Sequence, residues 1–180
     1  MNSNISNFRQ QFINRNFQLS SRYKVDFFPS RDLEGPRGGL PVMSGVHVET
    51  VVIPGRNLEY NLDEIWGPIR KIPVGRTYEY EAMFTIPLKG KWGMKNYFED
   101  WMNALVIKHN NYYSRVEYEG PISDSFVEII PQTTNDEEAS AIILREAYPI
   151  NILPIEMGHK FQNIYTNLMV LFAFRTYATT

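Results

Sequence analysis

The chain has 180 residues, of which 43% are hydrophobic and none is cysteine, and its 18 Lys+Arg nearly cancel its 20 Asp+Glu for a net charge of −2. This length suits one domain with its own core, the apolar content excludes wholesale disorder, and the missing thiols exclude disulfide frameworks, Cys-ligated zinc and thiol catalysis. The charge balance argues against a protein that grips nucleic acid, and the longest apolar run, Leu168 to Phe174, falls far short of the ~20 residues that span a bilayer, so no membrane partner is expected.

Residues 1–20 read as an N-terminal arm. The first 24 residues hold no Asp or Glu, are rich in Asn, and carry Arg9, Arg15, Arg22 and Lys24. Ile5, Phe8 and Phe12 stand at a loose helical spacing. Domain ends stay mobile unless something holds them, so an arm docking on a neighbouring subunit through Phe8 and Phe12 is one reading.

Residues 21–180 read as one mainly β domain. Arg22–Phe28 alternates Tyr23, Val25 and Phe27 against Arg22, Lys24 and Asp26, which predicts a strand ended by Pro29. Residues 30–44, with Gly35, Pro36, Gly38, Gly39 and Pro41, read as a long loop. His47–Ile53 reads as a second strand closed by Pro54-Gly55, and Asp63–Trp66 as a short turn. Thr77–Ile86 alternates most clearly, with Tyr78, Tyr80, Ala82, Phe84 and Ile86 on one face and Glu79 and Glu81 on the other. Gly93–Ile107 spaces Met94, Tyr97, Phe98, Trp101, Met102 and Leu105 as the apolar stripe of a helix that should dock on a sheet. Phe126–Ile130, Ala141–Tyr148 and Tyr165–Tyr177 complete the strands, with an acidic loop at 136–141. The last strand is apolar on both faces, which calls for a cover on each side: a second sheet, and a helix or another chain. Long strands also leave edges that must be capped or closed, and Met169 and Leu171 are the residues expected at a subunit contact, with Arg37 of the Gly-rich loop as another.

No constellation for catalysis emerges. His47, His109 and His159 follow no zinc spacing, so no metal site is expected. Gly35–Gly39 lacks the Lys-Ser/Thr of a phosphate loop, Ser44-Gly45 is not a nucleophile elbow, and Asp124 and Asp136 do not form a calcium loop. Glu79 and Glu81 are a carboxylate pair, for which a solvated strand face is the simpler explanation than acid–base work. Tyr112-Tyr113 beside Lys108, His109 and Arg115 mixes bases with aromatics as single-strand binders do, and hairpin packing explains it equally well. The chain is therefore read as no enzyme and as needing no cofactor.

Four segments in order carry a resemblance. They are Ile53-Pro54-Gly55-Arg56; Trp66-Gly67-Pro68-Ile69-Arg70-Lys71-Ile72-Pro73; the helix with Phe98 and Trp101, followed by Tyr112-Tyr113; and Ala147-Tyr148-Pro149 through Glu156, ending at Leu171–Arg175. Together they resemble the tail tube proteins of contractile-tailed, T-even-type bacteriophages over residues 17–177. Residues 1–16, Met157–Asn163 and the acidic loop depart from that pattern. The resemblance implies two packed antiparallel sheets, a β-sandwich or barrel, with one flanking helix. It implies hexameric rings stacked into a tube inside the tail of a virion assembled in the host cytoplasm. Implied partners are copies of the chain, a sheath protein, a tape measure protein and a baseplate initiator, with DNA passing through the lumen. A polyanion slides most freely past a wall without Lys or Arg, and Glu79 and Glu81 are the residues expected to line the channel. A phage-derived injection or type VI secretion-like tube is the near alternative. A carbohydrate-binding β-sandwich is the more distant one and would stay monomeric.

Overall fold

The computed structural model describes residues 18–65, 67–109, 112–115, 119–133, 138–158 and 165–180. In chain order the strands before the helix are β1 (Gln18–Phe28), β2 (Glu34–Gly35), β3 (Gly38–Gly39), β4 (Met43–Val46), β5 (Thr50–Val51), β6 (Arg56–Asp63), β7 (Arg70–Tyr78) and β8 (Glu81–Pro87). The helix α1 (Gly93–Ala104) follows. After it come β9 (Val106–His109), β10 (Tyr112–Arg115), β11 (Phe126–Thr133), β12 (Ile142–Arg145), β13 (Tyr148–Ile152), β14 (Asn167–Ala173) and β15 (Thr176–Thr179).

Two antiparallel sheets form the body, one ordered β15-β12-β11-β1-β4 and the other β13-β14-β8-β5. The alternation of β1 drives the first: Val25 and Phe27 point inward beside Val127 and Ile129 of β11 and Leu144 of β12, all buried. The second contributes Ala82, Phe84 and Ile86 of β8 and Leu168, Val170 and Phe172 of β14. The Phe27 ring lies 5.4 Å from Phe84, 5.3 Å from Phe98 and 5.4 Å from Phe172, so aromatic contacts join both sheets and the helix at one point.

The helix buries Tyr97, Phe98 and Trp101 of the expected stripe, with Leu105 just past its end, while Met94 and Met102 are half-buried and Ala104 joins the core; it stops at Ala104, short of the expected Ile107, which belongs to β9. Its rings reach Phe172 from the core side, at 5.8 Å from Phe98 and 5.6 Å from Trp101. It therefore shares the inner face of β14 with the first sheet and packs on that side alone. Tyr97 donates its hydroxyl to the Pro41 carbonyl at 2.9 Å, and burial pushes the phenol far above its usual range. Because the folded value is raised above the unfolded ~10, this contribution is complete at neutral pH and is lost as pH climbs beyond about 10. Urea midpoints at about pH 9 and about pH 11 should fall further for the wild type than for Tyr97→Phe, by up to roughly 1.4 kcal/mol per pH unit.

Four predicted strands and one predicted loop are redrawn. Thr77–Ile86 is not one strand: β7 ends at Tyr78, the chain bends at Glu79–Tyr80, and β8 begins at Glu81 in another sheet. Glu79 and Glu81 therefore share no strand face. Ala141–Tyr148 breaks at Glu146, whose φ is 55°, where the chain leaves β12 for β13. Tyr165–Tyr177 breaks at Phe174–Arg175 between β14 and β15. His47–Ile53 is a crossing from β4 in the five-stranded sheet to β5 in the four-stranded one. In each case one length of chain serves two sheets: the last three turns are corners of the sandwich, and the first joins the β6–β7 pair to it. The corners are tied together: Phe174 N–H donates to Tyr80 O at 3.0 Å and Arg175 N–H to Arg145 O at 3.1 Å. The 30–44 loop contains the β2–β3 hairpin and the start of β4, which Asp26 holds by accepting from Ser44 Oγ at 3.0 Å and from Gly45 N–H at 2.6 Å. Gly45 sits at φ 64°, where a side chain would be strained.

Candidate functional site

The feature absent from the sequence reading is a two-stranded ribbon, β6 paired with β7 from Arg56↔Tyr78 to Asp63↔Arg70. Its pattern is one of alternation. Arg56, Leu58, Tyr60 and Leu62 fall on one face, and Asn57, Glu59, Asn61 and Asp63 on the other. Cross-strand partners extend the segregation, with Arg76 opposite Leu58 and Lys71 opposite Leu62. The Lys71 ammonium lies 4.4 Å from the Tyr60 ring centroid, so the first face is apolar and cationic. A register shift between Glu59 and Tyr60 sets Pro73 opposite Tyr60.

Every described residue from 56 to 76 is exposed except Asp63 and Gly75, which are half-buried. Leu58, Tyr60, Leu62, Ile65, Ile69, Ile72 and Val74 are 47% to 81% exposed. Scattered apolar residues on a surface are ordinary, but Leu58, Tyr60 and Leu62 follow one another on a single face with Pro73 opposite Tyr60, a cluster of the kind that marks an interaction site, while Ile72, opposite Asn61, falls on the other face. The tip contains Gly67, at φ 81°, and Pro68.

The foot of the ribbon is fixed to the body. The Arg56 guanidinium donates to Tyr177 O at 2.9 Å and lies 4.2 Å over the Tyr177 ring. Tyr78 donates to Arg175 O at 2.7 Å and stacks on Phe174, its ring nearly parallel at 6.1 Å. Arg175 also pairs with Glu146 at 3.4 Å. Arg56 and Arg175, far apart in sequence, thus meet at this foot, joined by Tyr78, Phe174 and Tyr177, which sequence reasoning did not single out.

The second surface is the outer face of the four-stranded sheet. Glu81 is the only ionised residue in its four strands. Register places Glu81 opposite Ala173, Met83 opposite Leu171 and Thr85 opposite Met169, alternating with the core-facing residues, although Thr85 itself is buried. Met83 and Met169 are 36% and 40% exposed, and Leu171 is half-buried. Both edges of this sheet, β13 and β5, pair with no further strand among the described residues.

The remaining sequence candidates fall elsewhere. Pro54 and Pro149 are buried structural prolines, Gly55 is exposed, and Tyr148 opens β13 opposite Ala173. Trp101 is core. Arg37 is exposed on the β2–β3 turn with Asp100 3.7 Å away. Glu79 is exposed at its corner. Phe8, Phe12, Trp66, Asp136 and Glu137 lie outside the described residues. Among the described residues no group of three or more His, Asp and Glu is placed to hold a metal ion.

No family model matches the sequence, and no curated protein matches it. Solved structures do. The chain is similar to one in the anti-feeding prophage baseplate, with TM-score 0.63 and 9% identity over 92% of this chain and 97% of that one. It is similar to one in the PVC sheath–tube complex of an extracellular contractile injection system in the extended state, with TM-score 0.58 and 11% identity over 95% and 96%. A chain of the SPP1 tail tube aligns with TM-score 0.52 and 12% identity over 91% of this chain and 78% of that one. Identity this low speaks to architecture alone: the chain has the tail-tube-like fold, mainly β with one helix.

Proposed function

We propose that this chain is a structural, non-enzymatic subunit that assembles into rings, and that the rings stack into the hollow tube of a contractile tail or of a related injection particle. The observation that carries the reading is the β6–β7 ribbon, which extends an apolar, cationic face that no other described residue covers. A second copy in the adjacent ring is the occupant this face fits, because copies in a stack repeat the same donor and acceptor surfaces at a fixed offset. Arg37 and the 1–20 arm are further candidates for contacts between rings.

The four-stranded sheet supports the same reading. Joining β5 of one copy to β13 of the next removes two exposed edges per subunit. With sixfold closure, strands spaced ~4.8 Å and tilted ~40° give a wall roughly 50 Å across between backbones, wide enough to pass a nucleic-acid duplex or a polypeptide. In this arrangement the outer face lines the bore and carries Glu81, so Glu81 is kept as a lumen candidate; Met169 and Leu171, on an interior strand, become lumen candidates instead of the subunit contact expected of them, and Glu79, at its bend, is left out of the wall. A wall with one carboxylate and no Lys or Arg per four strands offers no counterion-releasing contacts to hold a passing polyanion. DNA and a tape measure protein are the proposed passengers. A sheath protein outside and a baseplate initiator at one end are the proposed partners, in a particle assembled in the host cytoplasm.

Electron microscopy and sedimentation of the purified protein test the reading. Uniform hollow rods or rings are expected; compact monomers at every concentration would favour the carbohydrate-binding sandwich instead.

A further inference from the structure

The edge strand β5 has only two ladder residues, Thr50↔Thr85 and Val51↔Phe84, which is little to hold an edge in place. Beside it, Glu49 N–H donates to Thr85 O at 2.7 Å and Val52 N–H to Met83 O at 3.3 Å. Thr85 and Met83 thus turn their backbone groups toward β5, and alternation makes Pro87 the next residue of β8 to do so. Proline has no N–H, so the donor the ladder needs there is missing.

A side chain takes over at that point. The Glu49 carboxylate accepts from Tyr165 Oη at 2.8 Å and from Asn167 Nδ2 at 2.6 Å, reaching past β8 to the start of β14. The Asn167 amide gives its NH2 to the carboxylate, and its Oδ1 is buried without a partner. Tyr23 fixes the same segment from the other sheet by donating to Val48 O at 2.8 Å.

We propose that Glu49 is the positioning residue of the closing edge: by clasping Tyr165 and Asn167 across Pro87 it sets β5 in the register that receives β13 of a second copy. This rests on the ring reading above. The groups that face Glu49 are Tyr165 and Asn167 from β14 and its approach, Tyr23 from β1, and His47 and Lys89, which line a shared cleft with it. The hydrogen bond and charge of Glu49 raise the Tyr165 phenol above its ordinary value, which gives the clasp a spectroscopic signature.

Three variants test it. Glu49→Ala is expected to keep the far-UV spectrum of the monomer with at most a small drop in its urea midpoint, because Glu49 and its two hydrogen bonds lie at the surface, and to raise the critical concentration for assembly about tenfold or more, since the two bonds that hold the edge are lost. Glu49→Gln is expected to retain assembly. Its carbonyl still accepts from Tyr165, and the Asn167 amide can turn its unpartnered Oδ1 toward the new NH2. Alkaline absorbance of monomer, differenced against Tyr165→Phe to isolate that phenol, should place Tyr165 above 10 in the wild type and near ~10 in Glu49→Ala. Normal assembly of Glu49→Ala overturns the proposal. So does an unchanged Tyr165 titration, or a Glu49→Gln as defective as Glu49→Ala, which would mean that charge and not the clasp is what matters. Failure of the wild type itself to form rings or rods would instead defeat the ring reading.

Discussion

Phe172→Ala is expected to lower the unfolding free energy by about 3–5 kcal/mol, the cost of deleting a buried phenylalanine whose surroundings cannot fully collapse. Phe172 is fully buried, and its ring meets Phe27 at 5.4 Å, Phe84 at 5.3 Å, Phe98 at 5.8 Å and Trp101 at 5.6 Å. These neighbours come from β1, β8 and α1, so no single element can move in to fill the space without breaking its contacts with the others. Marginal domains have only about 5–15 kcal/mol in total, so the loss should be plain in a urea titration followed by tryptophan fluorescence. Phe172→Leu should lose markedly less, because an aliphatic side chain keeps part of the volume. A loss below about 1 kcal/mol for the alanine variant would mean that the helix does not depend on this contact.

The same residue shows what periodicity conveys and what it hides. The pattern reads Tyr165–Tyr177 as one strand apolar on both faces, and within it Phe172 and Phe174 are both buried. It did not reveal that the chain turns a corner between Phe174 and Thr176, because a strand that bends from one sheet into another keeps its in–out order on both sides of the bend. Glu79 and Glu81 were paired for that reason, and the bend at Tyr80 separates them. The ribbon was hidden for a different reason. Arg56 to Asp63 alternates as cleanly as β1, but Pro73 and the charges of β7 count against a strand in a reading tuned to buried sheets. Arg56 and Arg175 were legible through resemblance, whereas their meeting at the ribbon foot needed the fold. The Glu49 clasp was not legible at all: its partners lie 116 and 118 residues away, and nothing local marks them.

Replacing Leu58, Tyr60 and Leu62 together with serine is expected to abolish stacking while leaving the monomer as stable as before. The two effects separate because the three side chains are 48% to 68% exposed in the chain and contribute little to its own core. If a neighbouring copy covers them, and full burial of a large side chain contributes about 1.5–3 kcal/mol of which roughly half remains to be gained here, their joint loss should be about 2–5 kcal/mol and raise the critical concentration by roughly 30- to 5,000-fold. Lys71 and Arg76 on the same face add a charge contribution that salt screens, so Lys71→Ala with Arg76→Ala should produce a milder defect, strongest at low ionic strength. Sedimentation across a salt series distinguishes the two variants: the serine triple should remain unassembled throughout, and the double alanine variant should approach the wild type as salt rises. A serine triple that forms rods like the wild type would show that the ribbon is no stacking device. The exposed ends of β5 and β13 would then have to carry assembly without it.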